Sequence, residues 1–402
     1  MRKNNAFRRA AALMAALSIT VSLAAPAFAD TYYIDYGDIT ITKNEDGSQT
    51  IEQGGEKWTD KAGEETVITT SNTVIATQES DLEGPAAEDT GFGPVVEENY
   101  QPAQPEDAEK PEGADQPESA EEPKSADRQE SADQQAAPAA APADTTPVNP
   151  KDDGFWGNTI TVINNFADTV LNLTLKDVKI DVSDTGSYWV EGKAALSVQG
   201  KGNVEIELDG NNELKSGVQR AGLEKNTSTS TGTLTLKDDK EAGSGSLKAT
   251  GGKYGAGIGG GEYYSGENIT ITGGRVNATG GWGSAGIGGG NYGSGNYGSG
   301  KNITIKGGTV TAKGGDCGAG IGGGNGGIGE NITITGGTVT AKGGDCGAGI
   351  GGGDGGYGGY GSGKNITIKG GTVTAKGGDC GAGIGGGNGG IGENITITGG
   401  TV

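Results

Sequence analysis

The chain has 402 residues, with 83 Gly, no His, and 52 acidic against 30 basic residues for a formal net charge of −22. The lack of His excludes Ser-His-Asp and Cys-His nucleophile systems and the usual zinc sites, and the acidity argues against nucleic acid or an anionic membrane surface as partner. The glycines follow no strict three-residue period, which excludes collagen.

Residues 1–29 read as a signal peptide. Arg2, Lys3, Arg8 and Arg9 make a cationic start, an apolar run follows from Ala10 to about Ala25, and Ala27-Phe28-Ala29 offers a small-x-small cleavage site. The apolar run is short for a membrane span, so export is expected. Residues 30–78 alternate β-branched and polar residues at Asp38–Thr42, Thr66–Thr70 and Thr73–Ala76, with Asp46-Gly47 as a turn; this predicts a short β-rich segment. Residues 79–153 carry 21 acidic against 4 basic residues, with frequent Pro and Ala and a degenerate Glu-Ser-Ala pattern. Such a stretch buries too little apolar surface to offset its ordering entropy, which predicts a disordered acidic linker.

Residues 154–402 read as a structured array. Short strands are expected at Thr159–Val162, Val170–Thr174, Val178–Val182, Leu196–Val198, Val204–Leu208 and Thr233–Leu236. The triplet Asn-Ile-Thr then begins at Asn268, Asn302, Asn331, Asn365 and Asn394, at spacings of 34, 29, 34 and 29, and residues 365–402 repeat residues 302–339 without a difference. A fixed period in this range means a solenoid. Each unit holds three short strands, as at Asn302–Ile305, Thr309–Ala312 and around Ala319–Ile321, separated by Gly runs. Alternation turns Ile303, Ile305, Val310, Ala312, Ala319 and Ile321 inward, stacked on Ile332, Ile334, Val339, Ala341, Ala348 and Ile350 of the next coil. The fold class expected is all-β, a right-handed parallel β-helix with Gly-rich turns. Two ladders fix one repeat as one coil. The repeated Asn can bond amide to amide, and the residue before it alternates Glu267, Lys301, Glu330, Lys364, Glu393, so opposite charges face each other. Val402 lies two residues into a strand, so a further capping portion of the protein is expected.

Several side chains are candidates for binding. Tyr263, Tyr264, Tyr292, Tyr297, Tyr357 and Tyr360, with Trp282 nearby, lie in Gly-Ser-Asn loops that have no core to fill; rigid aromatic faces there suit contact with sugars or proteins, against a reading as ligand-free low-complexity insertions. Asp316, Asp345 and Asp379 recur once per coil and are expected to face outward. Pairing with Lys313, Lys342 and Lys376 is the plainer account, and a Ca²⁺ site of carboxylates and loop carbonyls is the alternative. Cys317, Cys346 and Cys380, one residue on, are expected to point inward as a buried thiol stack. The exposed Thr columns, such as Thr304 and Thr333, suit a solvated β-surface.

The motifs from Leu171 to Gly261 carry a family likeness: Leu173-Thr174-Leu175-Lys176-Asp177-Val178, Leu208-Asp209-Gly210-Asn211-Asn212-Glu213-Leu214, Gly232-Thr233-Leu234-Thr235-Leu236, and Gly255-Ala256-Gly257-Ile258-Gly259-Gly260-Gly261. The chain resembles the carbohydrate-binding-domain β-helix proteins secreted by clostridia and related gut Firmicutes, over about residues 154–402. That resemblance implies a right-handed parallel β-helix, export and, in some members, binding of acidic plant polysaccharide with Ca²⁺. The long acidic linker and the near-perfect repeats depart from it. The five Asn-Ile-Thr units offer one arginine, Arg275, so a polysaccharide lyase, which needs Ca²⁺ carboxylates and a base for the α-proton, is the weaker reading. The expected function is non-catalytic binding of polysaccharide or host-surface glycan outside the cell, with a protein-binding adhesin or a structural stalk as alternatives. No membrane span is expected.

Overall fold

The computed structural model describes residues 30–70, 147–240, 245–291, 298–355 and 361–402. The expected signal peptide, the Thr73–Ala76 strand and nearly all of the acidic linker lie outside them, as do Tyr292, Tyr297, Tyr357 and Tyr360. No helix among the described residues is long and apolar enough to cross a membrane.

The chain winds through three stacked sheets, of 13, 7 and 11 strands, as a right-handed parallel β-helix. One coil shows the path. Asn203–Asp209 lies on the first face, Asn211–Lys215 on the second and Leu223–Glu224 on the third. Each strand pairs in parallel with the same strand one coil on: Asn203–Asp209 meets Leu234–Lys237, and Asn211–Lys215 meets Ser246–Thr250. In the regular repeats the register is residue for residue. Val310 faces Val339 and Val339 faces Val373; Ile321 faces Ile350 and Ile350 faces Ile384.

The twelve positions expected inside are all at or below 1% exposure. Stacking identical Ile, Val and Ala removes from water the apolar face that one coil could not bury alone, at about 25 cal/mol for each Å². From Leu223–Glu224 onward the third face is built from strands of only two residues, such as Ile321–Gly322. Its tight bend requires Gly: Gly322 has φ +133°, and a Cβ there would sit 2.0 Å from the carbonyl oxygen of Gly351.

Both ladders form. Asn302 Nδ2 donates to Asn268 Oδ1 at 3.0 Å, Asn331 to Asn302 and Asn365 to Asn331 at 3.1 Å each, and Asn394 to Asn365 at 3.0 Å. Each of these Asn residues has φ between +53° and +58°, a left-handed conformation that Asn tolerates better than most residues. Lys301 lies 3.9 Å from Glu330 and Lys364 lies 3.8 Å from Glu393.

The N-terminal segment belongs to the same core. Thr66–Thr69 pairs with Val170–Lys176 on the first face, and Ile39–Lys43 pairs with Ile160–Asn164 on the third. Gln49–Gln53 and Glu56–Asp60 fold back antiparallel beside Ile39–Lys43, through the turn at Asp46-Gly47. Beneath this meander Asp60 accepts from Tyr32 Oη at 2.6 Å and from Thr66 Oγ1 at 2.5 Å. Burial raises the Asp60 carboxyl to about 6 and pushes the Tyr32 phenol up as well.

One inward assignment is corrected. Cys317 and Cys346 are half-buried and Cys380 is exposed; they sit in the turn between the second and third faces, ahead of the inward Ala319 position. The parity count that placed them inward runs through Gly318, where the backbone is still turning and strand alternation does not apply.

Candidate functional site: an aromatic ridge on one corner

From Gly251 onward the corner between the second and third faces repeats as Gly-Gly-x-x in each coil. The backbone N–H of Gly252 donates to Arg220 O, that of Gly281 to Gly255 O, and that of Gly315 to Ser284 O. This stack brings three dipeptides to equivalent places: Lys253-Tyr254, Trp282-Gly283 and Asp316-Cys317. The ridge begins two coils earlier, in a tight turn whose ends exchange hydrogen bonds, Ser187 N–H to Val190 O at 2.7 Å and Val190 N–H to Ser187 O at 3.3 Å. Tyr188 and Trp189 form the tip.

Four rings run along the corner. Trp189 meets Tyr188 edge-on at 4.5 Å, Tyr188 meets Tyr254 at 6.2 Å, and Tyr254 meets Trp282 at 5.7 Å. Trp189 is 87% exposed, Tyr188 59% and Trp282 45%, whereas Tyr254 is 7% exposed and braces its neighbours. Tyr254 has φ +78° and Tyr263 has φ +67°, a strained conformation for a bulky residue. Both backbones are held: Asn291 N–H donates to Tyr254 O, and Tyr263 N–H donates to Asn291 O, each at 3.0 Å. Asn291 is 1% exposed, and its Oδ1 finds no donor among the described residues. Lys253 Nζ lies 5.0 Å from the centre of the Tyr254 ring.

A charged cluster underlies the ridge. Arg220 reaches Glu224 at 2.7 Å and Glu191 at 3.2 Å, and its Nε also donates to Gly192 O at 3.1 Å. Burial raises the Glu224 carboxyl although Arg220 beside it pulls the other way. Burial and the charge of Glu191 raise Glu262. Next in the chain, Lys225 is 1% exposed; burial lowers its amine to about 8, partly opposed by Glu267. These contacts consume the charges of Arg220 and fix the loop that presents Tyr188 and Trp189. The arrangement offers rigid, wet aromatic faces on a preorganised turn.

The expected binding residues separate in space. Trp282 lies on the ridge. Tyr263, exposed, and Tyr264, half-buried, lie on the next corner, between the third and first faces. Tyr188, Trp189 and Tyr254 were missed by reasoning on Tyr within the Asn-Ile-Thr repeats. Their signal was available: an adjacent Tyr-Trp between Gly186 and Gly192, and a Gly-Gly-Lys-Tyr that aligns with Gly-Gly-Trp-Gly.

Asp316, Asp345 and Asp379 continue the same corner and are exposed as expected, but no ion pair joins them to Lys313, Lys342 or Lys376 among the described residues. Calcium takes about six to eight oxygen ligands. Here one carboxylate per coil projects into solvent at steps of about 4.8 Å, and no group of three or more His, Cys, Asp or Glu among the described residues is placed to hold a metal ion. The donor set does not fit Ca²⁺, and no role is built on it.

No curated protein and no solved structure matched the chain. A family model described as Beta helix repeat matches residues 269–291, 303–325, 332–354 and 366–388, each span running from the first inward Ile of a coil to the turn after its third face. Those four spans carry β-helix repeats, within a chain whose fold is a right-handed parallel β-helix.

Proposed function

We propose that this is an exported, non-catalytic carbohydrate-binding protein that holds a glycan against Tyr188, Trp189 and Trp282, with Tyr263 and Tyr264 extending the contact on the neighbouring corner. The observation that carries this reading is the ridge itself. Large rings that could have been buried in the core stand in water on a backbone held by hydrogen bonds. Flat, fixed π-faces suit the apolar faces of pyranose rings and cost little ordering entropy on binding. The leader-like residues 1–29 support export, and the resemblance noted above supports a polysaccharide or host-surface glycan as ligand. The Arg220 guanidinium beneath the ridge is taken up by Glu224 and Glu191, which supports a presenting role over a lyase reaction. A protein-binding adhesin is the second reading, favoured by the mixed aromatic and charged character of Tyr188–Glu191.

The test is a glycan array with polysaccharide pull-down, using the full chain with and without a chelator. Retention that survives the chelator and weakens about tenfold or more in a Trp189→Ala/Trp282→Ala double variant, at about 0.5–1.5 kcal/mol per ring, supports the proposal. Attachment to host cells without glycan retention moves the function to a protein partner. Retention by neither leaves a structural stalk.

A further inference from the structure

The proposed glycan contact leaves the cysteines of the same corner unused. Cys346 and Cys380 occupy one position in successive coils: Cys346 N–H donates to Asp316 O at 3.1 Å and Cys380 N–H to Asp345 O at 3.0 Å. The strands leading into them, Thr338–Lys342 and Thr372–Lys376, pair in parallel residue for residue. Positions stacked in this way lie about 4.8 Å apart between backbones, within the roughly 4.4–6.8 Å between Cα atoms that a disulfide spans. Cys346 is half-buried and Cys380 is exposed. Cys317, one coil earlier, is half-buried beside Asp354, whose negative charge disfavours a thiolate there. Asp354 is anchored there by its own N–H on Cys317 O at 2.8 Å and by Asn388 Nδ2 at 3.1 Å.

We propose that Cys346 and Cys380 are a redox modification site, joined as an inter-coil disulfide by exchange with a small-molecule disulfide such as oxidised glutathione, while Cys317 stays a thiol. In the first step the thiolate of one cysteine attacks a glutathione sulfur, forming a mixed disulfide and releasing one glutathione thiolate. The second cysteine's thiolate then attacks the protein sulfur of that mixed disulfide and expels the other glutathione. The two protein thiols lose two electrons and two protons, and oxidised glutathione becomes two reduced molecules. The bridge closes the 34-residue span between coils, pinning a long coil to the one that follows. Burial, with the nearby charges of Asp354, Cys346 and Asp316, pushes the Cys317 thiol up to about 12, which suppresses its thiolate. Burial also raises Cys346, so exchange accelerates as pH rises.

The experiment treats the folded full chain with oxidised glutathione near pH ~8.5, the free-thiol range, alkylates what remains and digests with trypsin. Residues 314–342, 343–364 and 377–402 are separate tryptic peptides, each with one cysteine and each of different mass. The expected result is 343–364 linked to 377–402, with 314–342 alkylated and free thiols falling from three to one. Cys317→Ser leaves that link intact, and either Cys346→Ser or Cys346→Ala abolishes it. Three alkylated thiols after treatment, a link between 314–342 and 343–364, or disulfide-joined dimers would each overturn the assignment.

Discussion

Between residues 187 and 291 the corner joining the second and third faces carries aromatic rings, and between 302 and 402 the same corner carries Asp and Cys. From Gly251 onward the backbone under both stretches is the same: a Gly-Gly turn hung from the preceding coil, with identical parallel register on either side. The first stretch breaks the repeat with an eight-residue loop at Thr185–Gly192, left-handed Tyr residues and a buried Arg–Glu cluster. The second keeps the repeat and makes few ion pairs. Stability is thus spread evenly along the coils through stacked Ile and Val, and chemistry is placed where the repeat is violated. A protein built this way can change its corner without disturbing its core.

That separation can be broken at its strongest point first. Ile305→Ala removes a fully buried stacked side chain and is expected to cost about 2–5 kcal/mol in chemical denaturation. Lys225→Met tests whether a buried charge just past the third-face strand is a burden on the fold. The Lys225 amine, at about 8 in the folded protein against an ordinary 10.5, is charged in both states below pH 8, where its burial penalty is complete. The penalty is relieved as pH rises from about 8 toward 10.5. The variant should therefore be the more stable by about 1–3 kcal/mol at pH 7, with the gap closing in the alkaline range; thermal melts at pH 7 and 10 would show it. Asn331→Ala deletes one rung of the amide ladder and leaves a Cβ-bearing residue at φ +56°, for an expected loss of about 1–2 kcal/mol. Asn331→Gly, which relieves only the backbone, should recover part of that loss. The smallest change expected is for Trp189→Ala, within about 0.5 kcal/mol of wild type. A large destabilisation there would make the ridge part of the core rather than a presented surface.

Much of this architecture was legible in the residues. Alternating Ile and Val at fixed spacing gave the inward set, and the paired Asn and alternating Glu/Lys gave the coil register, because parallel stacking repeats side chains in place. Boundaries on the third face were less visible. Two-residue strands such as Ile287–Gly288 carry almost no alternation and are held by backbone bonds to neighbouring coils. The hairpin of Gln49–Asp60 was missed because Gln49, Gln53 and Asp60 are polar residues that become buried through hydrogen bonds to Thr66 and to the Tyr33 carbonyl. The ridge escaped attention because its rings come from three coils 65 or more residues apart in part, from Tyr188 to Tyr254 and Trp282, and only the stacked turns bring them together.

The alternation of Glu and Lys at the residue before each Asn also has a meaning for how the chain finds its register. Two segments of identical sequence, 302–339 and 365–402, compete for the same neighbours while the coils assemble. Were a coil to skip one neighbour and stack on the next, Lys301 would meet Lys364, or Glu330 would meet Glu393, turning about 0.2–1 kcal/mol of attraction into repulsion. The charges act as a parity check on assembly: single-coil slips are rejected, and only a slip of a whole 63-residue pair would pass unnoticed.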